Sequence, residues 1–447
     1  MTRKTFRTLV TTFVAAIILA AANLASAQIL KPIFYPRPVY FGNYVSGITA
    51  GAFHTCVNRL DGSVYCWGLN SNGEIGITST ASCVLGSNYN SPYACVDKPQ
   101  LVVATGVSQV VAGDLHTCSL ASGVVSCWGS GGSGQVGNDY NDHSAPTVVA
   151  TNFAFSSIAA GGNTSCGISN AQVVCWGQQP KGTFFGAQKT PYVVTAWSGV
   201  SFQSVAVGYQ FLCGLNATGG GWLDDDCIGA DERGQLGADP TASWMPKDMQ
   251  NLAFANFWVF GSMNNGSVAP GNSRVAAGHD FSCVDHSDGT VQCVGANQAG
   301  QLGLGFTSPS SKPYEWSTGR VGNTQAAQLH GVVAGSAHAC ALDASNHAFC
   351  WGSGEYGQLG NGSGSGGSGS YYSTTPQMVV DTTGAAPTFR ALAAGAQHTC
   401  GIGTDNYIYC WGDNTFGQIG VGLNVLVRPS GFGTATFTAR AVRTAGL

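Results

Sequence analysis

Short runs of alternating apolar and polar residues recur along the chain, each bounded by glycine, serine, asparagine or aspartate, and no segment sustains a 3.6-residue apolar period. Strands are therefore predicted, not helices. In the stretch from Ala394 to Gly420, HTCGIG and YIYCWG flank the polar Thr404, Asp405 and Asn406, the pattern of a β-hairpin, and a glycine-rich GQIG turn ends the unit. The same unit returns near residues 50–76, 112–137, 161–177, 207–237, 277–303, 334–360 and 394–420. Between copies the chain reads as a proline, an apolar run, a loop and a second apolar run ending in Ala-Gly, as in PQMVVDTTGAAPTFRALAAG. Two more strands per hairpin make four per repeat. The first cysteines of successive copies lie 62, 48, 47, 70, 57 and 60 residues apart, a period that suits propeller blades better than a helical solenoid. A last apolar stretch at 437–446 has no hairpin after it and is expected to close the ring by pairing with the first blade, removing the free edges.

Cysteine positions sharpen this picture. Turn-forming residues sit midway between Cys56 and Cys66, Cys118 and Cys127, Cys166 and Cys175, Cys213 and Cys227, Cys283 and Cys293, Cys340 and Cys350, and Cys400 and Cys410. Folding at each turn sets the two cysteines opposite one another on adjacent antiparallel strands, within disulfide reach. Cys83 and Cys95 remain and are expected to close an eighth loop. The C-x₂₋₄-C spacing of a zinc site is absent.

Composition then narrows the classes. Sixteen cysteines point to an oxidising compartment, and residues 1–27 supply a route to it: Arg3, Lys4 and Arg7 precede an apolar run that ends at Ala25, Ser26 and Ala27, the form of a cleaved secretory signal. No membrane span is expected after cleavage, and the predicted location is secreted, periplasmic or cell surface. Residues 28–43 form a proline- and aromatic-rich lead-in, and the propeller is expected over 44–447. Charged residues make up only 9% with net charge −4, and no basic stripe is present, so nucleic acid is not an expected partner.

With the repeats laid out, AG-x₂-HTC, CWG and GQLG resemble the regulator of chromosome condensation repeat, in its exported, cysteine-stapled bacterial version. The resemblance implies an all-β, seven-bladed propeller of four-stranded antiparallel blades, one disulfide hairpin per blade, closed by terminal strands. The motif histidine stands at His54, His116, His338 and His398 but is Thr164, Phe211 and Phe281 elsewhere; the motif tryptophan is Ile228 and Val294 in two copies. The best-known activity of the family, nucleotide exchange on a small GTPase, fits an exported disulfide protein only if it is delivered into a host cell. A secreted propeller of similar fold inhibits β-lactamases through loops on one face, which suits the compartment better.

No catalytic set assembles in the sequence. Histidines placed once per blade radiate around a ring instead of converging, so a structural role is expected of them, and the repeat tryptophans are expected to pack between blades. No cofactor is expected; Asp224, Asp225 and Asp226 in the elongated fourth hairpin are a weak calcium candidate, with Asp231 and Glu232 nearby. Recognition is expected where copies disagree. Insertions after the GQ-x-G turn share one face and carry Tyr89, Tyr93, Tyr371 and Tyr372; those before the Ala-Gly strand share the other and carry Phe254, Phe257, Trp258 and Phe260. The resulting reading is a monomeric scaffold that binds a protein or surface glycan. Its alternatives are a hydrolase or lyase using the axial funnel, and the exchange activity above.

Overall fold

A computed structural model describes residues 45–79, 82–83, 93–180, 186–217, 223–230, 233–236, 272–286, 289–308, 321–322, 328–364, 370–422 and 435–441. The signal and lead-in, Tyr89, Phe254, Phe257, Trp258, Phe260, Asp231 and Glu232 lie outside the described residues. No helix among the described residues is long and apolar enough to cross a membrane.

Seven antiparallel sheets follow one another along the chain, each built from consecutive strands. The inner strands are Val45–Ala50, Gln109–Ala112, Ser157–Gly161, Phe202–Val207, Asn272–Ala277, Leu329–Ala334 and Phe389–Ala394. A hairpin follows each inner strand, and an outer strand completes blades one, two, three, six and seven; in blades four and five three strands are described. The small residues of the inner strands let seven blades meet around an axis. Blade one adds a short strand, Ser82–Cys83, paired with its outer strand Tyr93–Val103.

Turn chemistry sets the hairpins. Blades two and three use two-residue turns, Ser122-Gly123 and Asn170-Ala171, with positive φ at both positions, the geometry whose twist matches the flanking strands. Blades one, five, six and seven take one residue more and place Gly62, Gly289, Asn346 or Asn406 at positive φ. In each hairpin the cysteines face one another in register, as Cys56 faces Cys66 and Cys400 faces Cys410. All seven pairs are bonded at Cα separations of 4.0–4.1 Å, and Cys83 is bonded to Cys95.

Ring closure departs from expectation. The last strand, Ala435–Ala441, pairs with Ile408–Asp413 of its own blade, not with blade one. Blade seven is thereby a complete unit, as blade one is, and the two meet by packing. Their contact is polar as well as apolar: Arg390 donates to the Val45 carbonyl at 2.9 Å, and the Gly422 N–H donates to the Asp97 carbonyl at 3.0 Å.

The repeat motif makes the joints between blades. Thr117 of blade two donates its hydroxyl hydrogen to the Glu74 carbonyl of blade one (2.9 Å), so it accepts from His54 Nε2 of blade one (2.8 Å). Trp128 Nε1 donates to the same carbonyl at 2.9 Å. The arrangement repeats with His116, Ser165 and Trp176 on the Gln135 carbonyl, with His338, Thr399 and Trp411 on that of Gln358, and with His398, Thr55 and Trp67 on that of Gln418, which joins blade seven to blade one. Burial holds these four imidazoles neutral, pulling them down to about 4 (His54, His338) or about 3 (His116, His398). The preceding glycine is required by the ring: a Cβ at Gly51 would stand 2.3 Å from His54 Cε1. The histidines and tryptophans are thus structural, as expected.

The motif departures fall on three consecutive joints. Between blades three and four the joint residues are Thr164, Leu212 and Ile228; the next joint has Phe211, Ser282 and Val294, where only Ser282 reaches the Gln235 carbonyl (2.8 Å). At the joint of blades five and six, Phe281 and Ala339 replace the histidine and threonine, and Trp351 alone bonds the Gln301 carbonyl at 3.0 Å.

Candidate functional site at the axial mouth

Strand alternation fixes two faces. The turn from inner strand to hairpin and the connection from hairpin to outer strand lie at one end of the axis; hairpin tips and the connections to the next inner strand lie at the other. At the first end seven turns, six of them Ala-Gly and that of blade four Val207-Gly208, surround a mouth of about 100 Å³, and behind it the inner strands enclose an axial cavity of about 300 Å³. The residue after Ala-Gly rims the mouth. In blade order these are Ala52, Asp114, Gly162, Tyr209, His279, Ser336 and Ala396.

Three of the seven carry chemistry, and they are brought together. The His279 ring stacks on Tyr209 with centroids 4.1 Å apart and 11° between planes. His279 Nδ1 lies 3.1 Å from Asp280 Oδ1, and both side chains are partly exposed. This bond, the Asp280 charge and the more distant charge of Asp114 raise His279 above the ordinary imidazole value, against the opposing effect of its partial burial. Burial raises Asp114, with His279 opposing. The Asp114 backbone is anchored on both sides: its carbonyl accepts from Ala52 N–H and its N–H donates to Gly162. The deeper cavity is lined mainly by alanine, valine and isoleucine, with Arg274 as its charged residue.

An aromatic group adjoins the rim. Phe53, next to Ala52, packs edge-on against Phe416 at 5.3 Å, and Phe416 meets Tyr93 at 5.6 Å. Tyr93 is exposed, as is Tyr372, whereas Tyr371 is half-buried against the core cluster that contains Leu359 and Trp411 and accepts from Asn361 Nδ2 at 2.9 Å. Tyr371 therefore packs the blade, and of the tyrosines named from sequence Tyr93 and Tyr372 present open surface. Tyr140 and Phe306 add to this face, and with Tyr93 and Tyr372 they are the exposed aromatics among the described residues; all four lie on or beside hairpin-to-outer-strand connections. The opposite face shows the aliphatic tips Leu60 and Val124.

Asp224, Asp225 and Asp226 lie within the strand Leu223–Gly229, in register with Asn216, Leu215 and Gly214, and not at the hairpin tip.

Sequence reading passed over Asp114, Tyr209, His279 and Asp280 because they fill the two variable positions of AG-x₂-H. Aligning that position across copies would have found them, since the other four rim residues are alanine, glycine or serine.

Comparison with known proteins agrees with this architecture. The Regulator of chromosome condensation (RCC1) repeat matches residues 45–74, 330–358 and 389–418 in one form and 61–120 and 345–402 in another. The matched stretches are regulator of chromosome condensation repeats, set in a seven-bladed β-propeller. It is 26% identical over 329 residues to the ultraviolet-B receptor UVR8 of Arabidopsis thaliana, covering 71% of this chain and 67% of that protein. It is 29% identical over 136 residues to the human E3 ubiquitin-protein ligase HERC2, spanning 30% of this chain and 3% of that far longer protein. Among solved structures, Prp20p from Saccharomyces cerevisiae, described with its binding properties to Gsp1p and histones, superimposes with a TM-score of 0.66 at 19% identity, covering 90% of this chain and 87% of that one. That likeness is one of fold.

Proposed function

We propose that this chain is an exported protein-interaction scaffold that engages its partner through the axial-mouth face. One observation carries the choice of face: Tyr93, Tyr140, Phe306 and Tyr372, the exposed aromatics among the described residues, all lie there. Aromatic side chains on strand-anchored connections give large contact area for little lost freedom. Eight disulfides suit an oxidising compartment, which supports export. The axial cavity of about 300 Å³ behind the mouth reaches only the lower end of the range of substrate-enclosing pockets, typically about 300–1,000 Å³, and its lining among the described residues offers no carboxylate, histidine or cysteine, which favours binding over turnover.

The test is site-specific photo-crosslinking in native extracellular and envelope fractions. Crosslinkers at Tyr93 and Tyr372 should capture one protein that crosslinkers at Leu60 and Val124 do not, and Tyr93→Ala with Phe416→Ala should abolish it. Capture only from Leu60 or Val124 would reverse the assignment of the face.

A further inference from the structure

We propose that the axial cavity binds one short aliphatic carboxylate, a free acid whose carboxylate pairs with the guanidinium of Arg274 and the hydroxyl of Ser204 while its hydrocarbon end lies on the apolar walls. The inference stands independently of which face meets a protein.

Arg274 is the feature that selects an anion. It lines the cavity from the inner strand of blade five, and no hydrogen bond or ion pair to a described residue holds its guanidinium. Asp285 stands opposite it in register and turns Oδ2 to the Gly331 N–H at 2.6 Å. The Arg274 side chain is accessible from the cavity yet lies deep among protein atoms. Desolvation pulls it below the ordinary guanidinium value, with the charge of Asp285 opposing. A guanidinium keeps its proton in a protein, and a charge at that depth favours a counter-ion.

The ring is cut back around it. Arg274 lies three residues before the end of its inner strand, and the positions so placed in five other blades are Gly47, Ser157, Ser204, Gly331 and Ala391, all small. The remaining one, Gln109, is engaged with the next blade: its amide donates to the Ile158 carbonyl and accepts from the Ile158 N–H, both at 2.9 Å. A Cβ added at Gly331 would meet nothing within 4 Å. Ser204, half-buried on neighbouring blade four, lines the same cavity and brings a hydroxyl to the level of the guanidinium.

The rest of the lining selects the body of the ligand. Ile48, Val111 and Val205 present half-buried hydrocarbon, and the Thr49 hydroxyl already accepts from the Ala112 N–H at 3.0 Å. No carboxylate lines the space among the described residues. An arginine fork takes a carboxylate through two parallel bonds, whereas a neutral apolar molecule would leave the charge unanswered. At about 300 Å³ the cavity stands at the small end of ligand pockets, so the acid is short.

The probe is isocaproate, titrated calorimetrically into the intact protein, with isocaproamide as its uncharged counterpart and acetate as the anion without a hydrocarbon body. Isocaproate should bind saturably, one molecule per chain, and the other two about tenfold more weakly or worse; Arg274→Met should weaken isocaproate about tenfold and leave isocaproamide unchanged. No saturable binding of isocaproate, or binding of isocaproamide or acetate as tight as its own, overturns the proposal on the unmodified protein, whatever the variant does. Nα-acetylglycyl-leucine carries the same carboxylate and isobutyl group at a chain end. If it binds as tightly as isocaproate, the ligand is a chain terminus and the free acid falls.

Discussion

Glu74 stands where five other blades place glutamine, and the difference is one buried oxygen. Each of Gln135, Gln235, Gln301, Gln358 and Gln418 accepts the backbone N–H two residues before it through Oε1, and Glu74 does the same through Oε2, at 2.8 Å from Asn72 N. Glu74 Oε1, fully buried, has no hydrogen-bond partner. Burial raises the carboxyl from 4.5 to about 6. The folded form therefore holds the proton more tightly than the unfolded chain, so the stability this group contributes is fully present below pH 4.5 and is lost as pH rises through about 6. A displacement of that size is worth about 2 kcal/mol. Glu74→Gln should raise stability by about that amount at pH 7 and change little at pH 4, read as denaturation midpoints at the two pH values. Equal shifts at both would mean the buried charge is not the cause. At this scale the sequence was half legible: GEIG among GQ-x-G turns is visible at once, but that the exchange strands a carboxylate oxygen depends on burial. Tyr209, His279 and Asp114 were hidden for another reason, since a repeat is recognised by positions that agree and these lie where copies differ.

Hairpins were the most legible elements, because turn chemistry and the cysteine interval both report on strand register. Ser122-Gly123 and Asp61-Gly62 announce their turns; Ala171, at φ 60°, gives no such signal and is carried by Asn170 before it and the disulfide beyond. The joints between blades were not legible, because a joint couples residues of two repeats through a backbone carbonyl that has no sequence signature. His54 and Thr117, 63 residues apart, share one hydrogen bond, and the threonine also serves the Glu74 carbonyl. Thr117→Val strands the buried His54 N–H, a loss of about 1–3 kcal/mol, whereas removing both polar partners is far less costly. Adding His54→Phe should therefore restore part of that loss, since Phe211 and Phe281 already fill the same slot in blades four and five. The double mutant should fall short of the sum of the singles by about 1 kcal/mol in chemical denaturation. Strict additivity would show that the pair does not act as a joint.

The joints decide how the ring behaves as a whole. Four consecutive ones, from blade six through blades seven, one and two to blade three, carry the full set of histidine, hydroxyl and tryptophan bonds, and the three that remain are contiguous. The seven hairpin disulfides span 9, 10 or 14 residues, and Cys83–Cys95 spans 12, so each stiffens its own blade and none ties one blade to the next. Openings of a ring start where the connections between units are weakest, which places them on either side of blades four and five. Those same blades supply Tyr209 and His279, so the chemically distinct arc of the mouth and the weakly joined arc of the ring coincide. Amide exchange followed by mass spectrometry should show faster labelling of Phe202–Val207, Phe211–Ala217 and Phe281–His286 than of their counterparts Phe389–Ala394, His398–Gly403 and His54–Arg59. Phe281–His286 belongs to a hairpin whose disulfide spans 10 residues, as those of His54–Arg59 and His398–Gly403 do, so that comparison isolates the joints from hairpin length. Uniform protection around the ring would show that apolar packing of Leu212, Ile228 and Phe281 holds those blades as firmly as hydrogen bonds hold the rest.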